Sequence, residues 1–424
     1  MNQDYTLREQ FYQWRQRRPV KRFFATTGLF LVWLPRRIIQ VLVSVLLRRE
    51  QPERILIVHC GGLGDTLMLT PALAALQRRY PSARIDLITL HRYVADAFRN
   101  HPRLHSIMTL PAYRGQWIIS RFADRTGLRL LLATLRCYPT LLLQLAFVRY
   151  GLGINFGLSD FDQRLGNALL YCLGVPIRTG ARGAAETFLT QPVAVNKADH
   201  RVKTYLGFLA PQGIVAANDR YEFPVSQSDL EKVESLLRSQ KVDSAKPLAV
   251  IHPGGKVHIN SRRWPAEYFA RVCSFLSSAG FEVVLTGDRD DAVVCNEIAR
   301  TFRSGAKSIV GQLDFCQTAA LLSTAKLCIT NDTATLHLAE AVRVPQVVSI
   351  FGPTDPNLLA PQNARNVVVR SDLDCAPCMG GLIDSNSVRC WREVKEECLW
   401  RITPEQVISA VNRNSQRPAR VASA

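Results

Sequence analysis

The 424-residue chain has no uninterrupted run of the roughly 20 apolar residues that a bilayer-spanning helix needs, which excludes a multispan membrane protein. Cysteine is sparse for a disulfide scaffold, at 11 residues. Seven of these (Cys60, Cys137, Cys172, Cys273, Cys295, Cys316, Cys328) are scattered, many within apolar runs, and read as core thiols of a reducing compartment. Acidic residues are the scarcer charge, 35 Asp+Glu against 53 Lys+Arg, so the net charge is +18. Such a surface attracts phosphate-rich partners: nucleic acid, anionic lipid or nucleotides. What is plentiful is apolar residues, 47%, enough to bury two or three ordinary globular cores at about 100 to 200 residues each.

The charge is not evenly spread. Residues 1–50 hold ten Lys/Arg against Asp4, Glu9 and Glu50, a net +7. Two apolar blocks, 23–34 and 38–47, are split by Pro35-Arg36-Arg37. Each is too short to span a bilayer, and Pro-Arg-Arg is no signal-peptidase site. The segment reads first as an interfacial anchor, apolar faces in the headgroup boundary and arginines on anionic lipid, and after that as a helical hairpin packed on the body or a true span. A second basic stretch, 99–159, carries eight arginines against Asp124 and surrounds the leucine-rich run 128–148. A helix, turn, helix is expected there, either as a core pair with a solvated basic face or as a second membrane-facing surface.

From residue 51 the pattern is globular. Arg54 to Cys60 is a continuous apolar run that breaks into Gly61-Gly62-Leu63-Gly64-Asp65 before a periodic segment, Thr66 to Tyr80, and a second apolar run, 83–89. Strand, glycine loop, helix, strand is a βαβ unit and predicts a parallel sheet. After a boundary near 216–227, further strands are expected at 247–253, 281–287, 307–310, 326–331 and 345–351. The expected architecture is two doubly wound, Rossmann-like α/β domains facing a cleft: 51–220, 221–402, then a closing helix and tail over 403–424, with 1–50 as the membrane-associating segment. Ligands of such sheets bind beyond the carboxyl ends of the strands.

Three loops there carry polar chemistry. The first, Gly61 to Thr66, fails as a dinucleotide fingerprint, since Leu67 stands where G-x-G-x-x-G read from Gly62 needs glycine. Its Asp65 is either a functional carboxylate or a helix N-cap. In the second, Gly254 and Gly255 expose N–H groups after a strand, with Lys256, Arg262 and Arg263 nearby and Trp264-Pro265 opening a helix. The third, Thr330 to His337, is a helix start whose Asp332, Thr333 and N–H groups suit a diphosphate, and His337 lies one turn in.

At these loops, over residues 53 to about 410, the chain resembles glycosyltransferase family nine, the heptosyltransferases of lipopolysaccharide core assembly, of GT-B fold. The resemblance implies an inverting, metal-independent transfer from a nucleotide-diphosphate sugar, ADP-heptose by family habit, to a glycolipid acceptor at the cytoplasmic face of the bacterial inner membrane. It puts the catalytic base on Asp65, with Gly61, Gly62, Gly64 and Thr66 on the acceptor side and Thr70-Pro71 closing the motif. The phosphate-binding lysine falls on Arg262, beside Gly254 and Gly255. Asp332, Thr333 and His337 take the diphosphate loop, with Ala334 where glycine is usual, and Asp291, with Asp290 beside it, takes the ribose position. The run 198–209 resembles the stretch before the interdomain linker, and the last helix, from Thr403, is expected to cross back and brace the first domain.

Cys375, Cys378, Cys390 and Cys398 give C-x2-C-x11-C-x7-C, a spacing open to structural zinc, paired thiols or free cysteines in a packed loop, the last favoured. The alternative within the transferases is a GT-B enzyme using another nucleotide sugar in cell-surface polysaccharide synthesis, and two other classes remain beside the transferase. A sugar-nucleotide epimerase would have no lipid acceptor to explain residues 1–50. A nucleic-acid binder would have to explain the absence of any nucleic-acid motif.

Overall fold

The computed structural model describes residues 51–110, 134, 138–145, 148–215, 220–255, 262–302, 306–379 and 390–415. The expected anchor at 1–50 and, within the basic stretch 99–159, residues 111–133, 135–137, 146 and 147 lie outside them. In chain order the first elements are β1 (Arg54–Val58), α1 (Leu63–Arg79), β2 (Arg84–Thr89), α2 (Arg92–Phe98), β3 (Ser106–Thr109), α3 (Pro139–Gln144), β4 (Leu152–Asn155), α4 (Asp160–Cys172), β5 (Ile177–Ala181), β6 (Gln191–Val193), α5 (Arg201–Gly207) and α6 (Gln227–Ser239). There follow β7 (Leu248–His252), α7 (Ala266–Ser278), β8 (Glu282–Leu285), α8 (Ala292–Thr301), β9 (Lys307–Ser308), α9 (Phe315–Thr324), β10 (Leu327–Asn331), α10 (Ala334–Ala341), β11 (Gln346–Phe351), α11 (Pro356–Leu359), β12 (Asn366–Arg370), α12 (Glu397–Trp400) and α13 (Pro404–Ser415).

The strands form two six-stranded parallel sheets, ordered β3-β2-β1-β4-β5-β6 and β12-β11-β10-β7-β8-β9. Read from its own first strand, the second repeats the order of the first, which is the doubly wound order with a switch point between its first and fourth strands. Central strands are apolar throughout because parallel sheets are covered on both faces. Ile55 to Val58 and Ala249 to Ile251 are all fully buried.

Packing divides the chain into two units that are not contiguous in sequence: 1–60, 80–92 and 104–195 in one, 61–79, 93–103 and 196–424 in the other. The first unit's core joins Leu56, Val58 and Ile88 to Leu165, Leu169 and Tyr138. The second's joins Ile251, Leu285 and Ile329 to Trp264, Phe269 and Leu276. Helix α1, although it follows β1 in sequence, groups with the second unit, where it packs on α5 and α10. The closing helix α13 does not cross back as expected. Its Val407, Ala410 and Val411 are buried in the second unit's core, and Gln346 donates to the Val411 carbonyl at 2.6 Å.

Helix α1 starts at Leu63, three residues before the expected Thr66, so Asp65 sits inside the first turn and is not its N-cap. An interior proline costs about 3 kcal/mol because it orphans the carbonyl four residues back. Here Pro71 would orphan Leu67, and the Thr70 hydroxyl donates to that carbonyl at 2.7 Å. The Thr70-Pro71 pair is therefore a self-satisfied break. The same hydroxyl accepts the Glu222 N–H at 2.9 Å, fixing the chain that leads into α6.

Of the scattered cysteines, Cys60, Cys172, Cys273, Cys295 and Cys328 are buried free thiols and Cys316 is half-buried; Cys137 lies outside the described residues. Among the described residues no helix is long and apolar enough to cross a membrane.

Candidate functional site

The first loop is organised by Gly62, whose carbonyl accepts both the Thr66 N–H at 2.9 Å and the Thr66 hydroxyl at 2.8 Å. This closes the first turn of α1 and leaves the Asp65 side chain 28% exposed, with Arg201 Nε 4.0 Å from its Oδ1. Arg201 is the first residue of α5 and is buried. Its neighbour His200 caps that helix: Nδ1 accepts the Val202 N–H at 3.3 Å, and Nε2 donates to the Ala360 carbonyl at 3.0 Å. Arg201 and His200 lie in the 198–209 stretch, which the sequence marked without a role for either. The Tyr93 hydroxyl stands 3.6 Å from where a side chain on Gly62 would begin.

Gly64 lets α1 meet α10. A Cβ there would lie 3.0 Å from His337 Cδ2 and 3.7 Å from the Ala334 backbone. His337 is 4% exposed, and burial holds its pKa down to about 4, against the opposing pull of Asp332 and Asp65. The ring is therefore neutral near pH 7, and its Nδ1 has no hydrogen-bond partner among the described residues. Asp332, Asp65, His200 and Arg262 all act on this one imidazole, so residues from all three sequence loops surround it.

Adjacent arginines grip different aspartates. Arg262 donates from one terminal nitrogen to Asp332 Oδ2 at 3.1 Å, and its buried Nε–H has no partner among the described residues. Asp332 also accepts the Thr354 hydroxyl at 2.7 Å. Thr333 caps α10 by position, but its hydroxyl bonds to no helical N–H and lies 3.2 Å from the Thr330 hydroxyl. The first N–H groups of α10 thus keep their capacity for an anion, and Ala334 is the first residue of that helix.

Arg263 instead bonds Asp291 Oδ1 at 2.6 Å and the Gly255 carbonyl at 2.9 Å. Asp291, which the resemblance puts at a ribose, is buried beneath the Gly254-Gly255 turn with both oxygens occupied. Its Oδ1 also takes the Gly255 N–H at 3.4 Å, and its Oδ2 the Asp288 N–H at 3.2 Å. The neighbouring exposed carboxylate is Asp290. A Cβ on Gly254 would fall 2.2 Å from Asp291 Oδ2, so only glycine fits over it. Asn331 completes the tie, donating to the carbonyls of Pro253 at 2.8 Å and Gly254 at 3.0 Å and accepting the Trp264 N–H at 3.2 Å. Lys256 and Ser261 lie outside the described residues.

The four late cysteines line one small cavity of about 30 Å³ with Arg392 and Glu397. All are free thiols, and burial pushes Cys398 up to about 12. Among the described residues no group of three or more His, Cys, Asp or Glu is arranged to hold a metal. The cluster therefore lends no support to structural zinc.

Comparisons with known proteins bear on the family and the fold. The family model of glycosyltransferase family 9 (heptosyltransferase) matches residues 161–384. The lipooligosaccharide heptosyltransferase 2 of Haemophilus ducreyi is 23% identical, covering 85% of this chain and 99% of that protein. The lipopolysaccharide heptosyltransferase 2 of Escherichia coli K12 is 24% identical, over 75% of this chain and 88% of its own. In fold, the chain is similar to a solved glycosyl transferase family 9 protein of Veillonella parvula, with TM-score 0.66, 18% identity and coverage of 85% and 97%. It is also similar to the E. coli ADP-heptose heptosyltransferase II, with TM-score 0.63, 21% identity and coverage of 85% and 98%. The fold is GT-B-like.

Proposed function

The chain belongs to glycosyltransferase family 9, and on that premise we propose that this glycosyltransferase moves a heptose from ADP-heptose to a glycolipid acceptor of the lipopolysaccharide core. Two relatives named above are lipooligosaccharide and lipopolysaccharide heptosyltransferases, which supports both halves of this substrate pair. Residues 51–220 serve the acceptor and 221–402 the nucleotide sugar, with Gly61, Gly62, Gly64 and Thr66 shaping the acceptor-side loop.

The observation that carries the reading is the convergence of a partly exposed carboxylate, Asp65, with Arg262 and Asp332 around the neutral His337. In one step, an acceptor hydroxyl attacks the anomeric carbon and gives its proton to Asp65. The bond from that carbon to the diphosphate oxygen breaks, and its electron pair leaves with the nucleoside diphosphate. Arg262, through its unoccupied Nε–H, and the first N–H groups of α10 beside Thr333 receive the developing charge, so no divalent cation is required for this. A neutral His337 bounds the site between Asp65 and Asp332. Asp291 serves the donor at one remove, by holding Gly254 and Gly255 in place.

The enzyme works peripherally at the cytoplasmic face of the inner membrane, held by residues 1–50. Their deletion should release the protein from anionic vesicles and leave ADP binding intact; a deletion variant that still binds the vesicles contradicts the anchor.

The test of the site is Asp65→Asn, which preserves shape. Turnover should fall by about 10² to 10⁴, the usual contribution of a positioned base, while ADP affinity and melting temperature stay put. Turnover near wild type would refute Asp65 as the base.

A further inference from the structure

At the edge of the first sheet where its strands begin, three neighbouring strands are each entered past an arginine. The Arg84 N–H bonds the Glu53 carbonyl at 3.0 Å, and the Gly151 N–H bonds the Arg54 carbonyl at 3.0 Å. With the strand order β2-β1-β4, Arg84 and Arg54 sit in register on strands about 4.8 Å apart, and Arg149 lies two residues before Gly151 at the entry to β4. With Glu53, Ser82 and Val148 they line an open groove of about 500 Å³.

The three arginines are not equivalent. Arg54 leans back on Asp86 Oδ2 at 3.4 Å, and that buried carboxylate also takes Tyr150 at 2.9 Å, Ser106 at 2.8 Å and His105 at 3.0 Å. Arg84 and Arg149 are exposed, and their guanidinium groups have no side-chain partner among the described residues. Three guanidinium groups against one groove carboxylate, Glu53, leave a net positive rim whose mutual repulsion is relieved by a bound anion.

The chain reaches this edge directly from residues 1–50, with ten Lys/Arg against three acids. We propose that the Arg54, Arg84 and Arg149 edge is a docking surface for the lipid phosphates of an anionic bilayer, continuing the basic charge of residues 1–50 onto the folded domain. The identity of the anion rests on the membrane reading above, whereas the surface itself rests on the groove. The two basic regions hold the first sheet by the edge opposite the carboxyl ends of its strands.

The experiment is flotation of the full-length protein with phosphatidylglycerol-containing vesicles. The double variant Arg84→Ala/Arg149→Ala is compared with Arg238→Ala/Arg300→Ala, which removes the same charge from exposed positions of the second unit. At about fivefold per basic residue near an anionic surface, the first pair should lower the partition coefficient about 25-fold and the control pair much less, with melting temperatures unchanged. The proposal is overturned by undiminished binding of Arg84→Ala/Arg149→Ala, by an equal loss in the control pair, or by inorganic phosphate stabilising wild type but not that variant, which would assign the groove to a soluble anion. If wild type itself does not float, the membrane reading fails and the docking surface with it. If wild type floats and the variant floats equally, only the docking surface fails.

Discussion

The pairs Arg262–Asp332 and Arg263–Asp291 are chemically alike and adjacent in sequence, yet they do different work. Arg263 and Asp291 spend their bonds inside the protein, on each other and on the Gly255 backbone at 2.9 Å. Arg262 keeps an N–H unoccupied, and its partner Asp332 lies at the start of α10. Residue type and burial alone do not separate them, because Asp332 and Asp291 are equally inaccessible, each at 4%. What separates them is where the remaining donors point, and unsatisfied donors are what a ligand can use.

The sharpest way to break this contrast is to delete each arginine. Arg263→Ala leaves Asp291 buried without its cation and should cost about 3 kcal/mol of stability, read from denaturant unfolding. Arg262→Ala likewise leaves the buried Asp332 without its cation and should cost a comparable amount of stability, but it alone should weaken ADP about tenfold to a hundredfold, the worth of a charged hydrogen bond, and Arg262→Lys should recover part of this. Equal effects of the two alanines on ADP affinity would mean a diffuse cationic patch.

A smaller effect separates the glycines above the second pair. Gly254→Ala drives a methyl group into Asp291 Oδ2, at 2.2 Å, and should cost about 1 to 3 kcal/mol. Gly255→Ala meets only the flexible Arg263 side chain, at 3.4 Å, and should be nearly silent in thermal melts.

The smallest effect is in pH. Burial holds both His337 and His101 at about 4, below the ordinary 6.5. Between those values the unfolded chain binds more protons than the folded one, so stability is complete above pH 6.5 and is lost as pH falls toward 4. The slope is at most about 1.4 kcal/mol per pH unit for each histidine. His337→Gln should flatten the fall in melting temperature over that window; an unchanged slope would contradict a neutral, buried imidazole.

The sequence carried the alternation of apolar strands and helices, and the three glycine and polar loops, because each is a local pattern. Four strands of the first sheet, β3 to β6, are only three to five residues long and too short to show a period. The roles of His200, Arg201, Asn331 and Thr354 were not legible either. Asn331 reaches Pro253 from 78 residues away, and His200 reaches Ala360 from 160. The resemblance put Asp291 at the ribose position, and nothing local in the sequence says that its carboxylate lies under a turn, bonded to Arg263. The closing helix shows an amphipathic face, but nothing local says which sheet that face covers.

The proposed transfer is a single displacement at the anomeric carbon, with Asp65 taking the proton. Its most direct test is the anomeric configuration of the product formed from ADP-heptose and a lipopolysaccharide-core acceptor, read by NMR. A configuration opposite to that of the donor is expected; retention would contradict Asp65 acting as the base of a one-step attack from the face opposite the diphosphate.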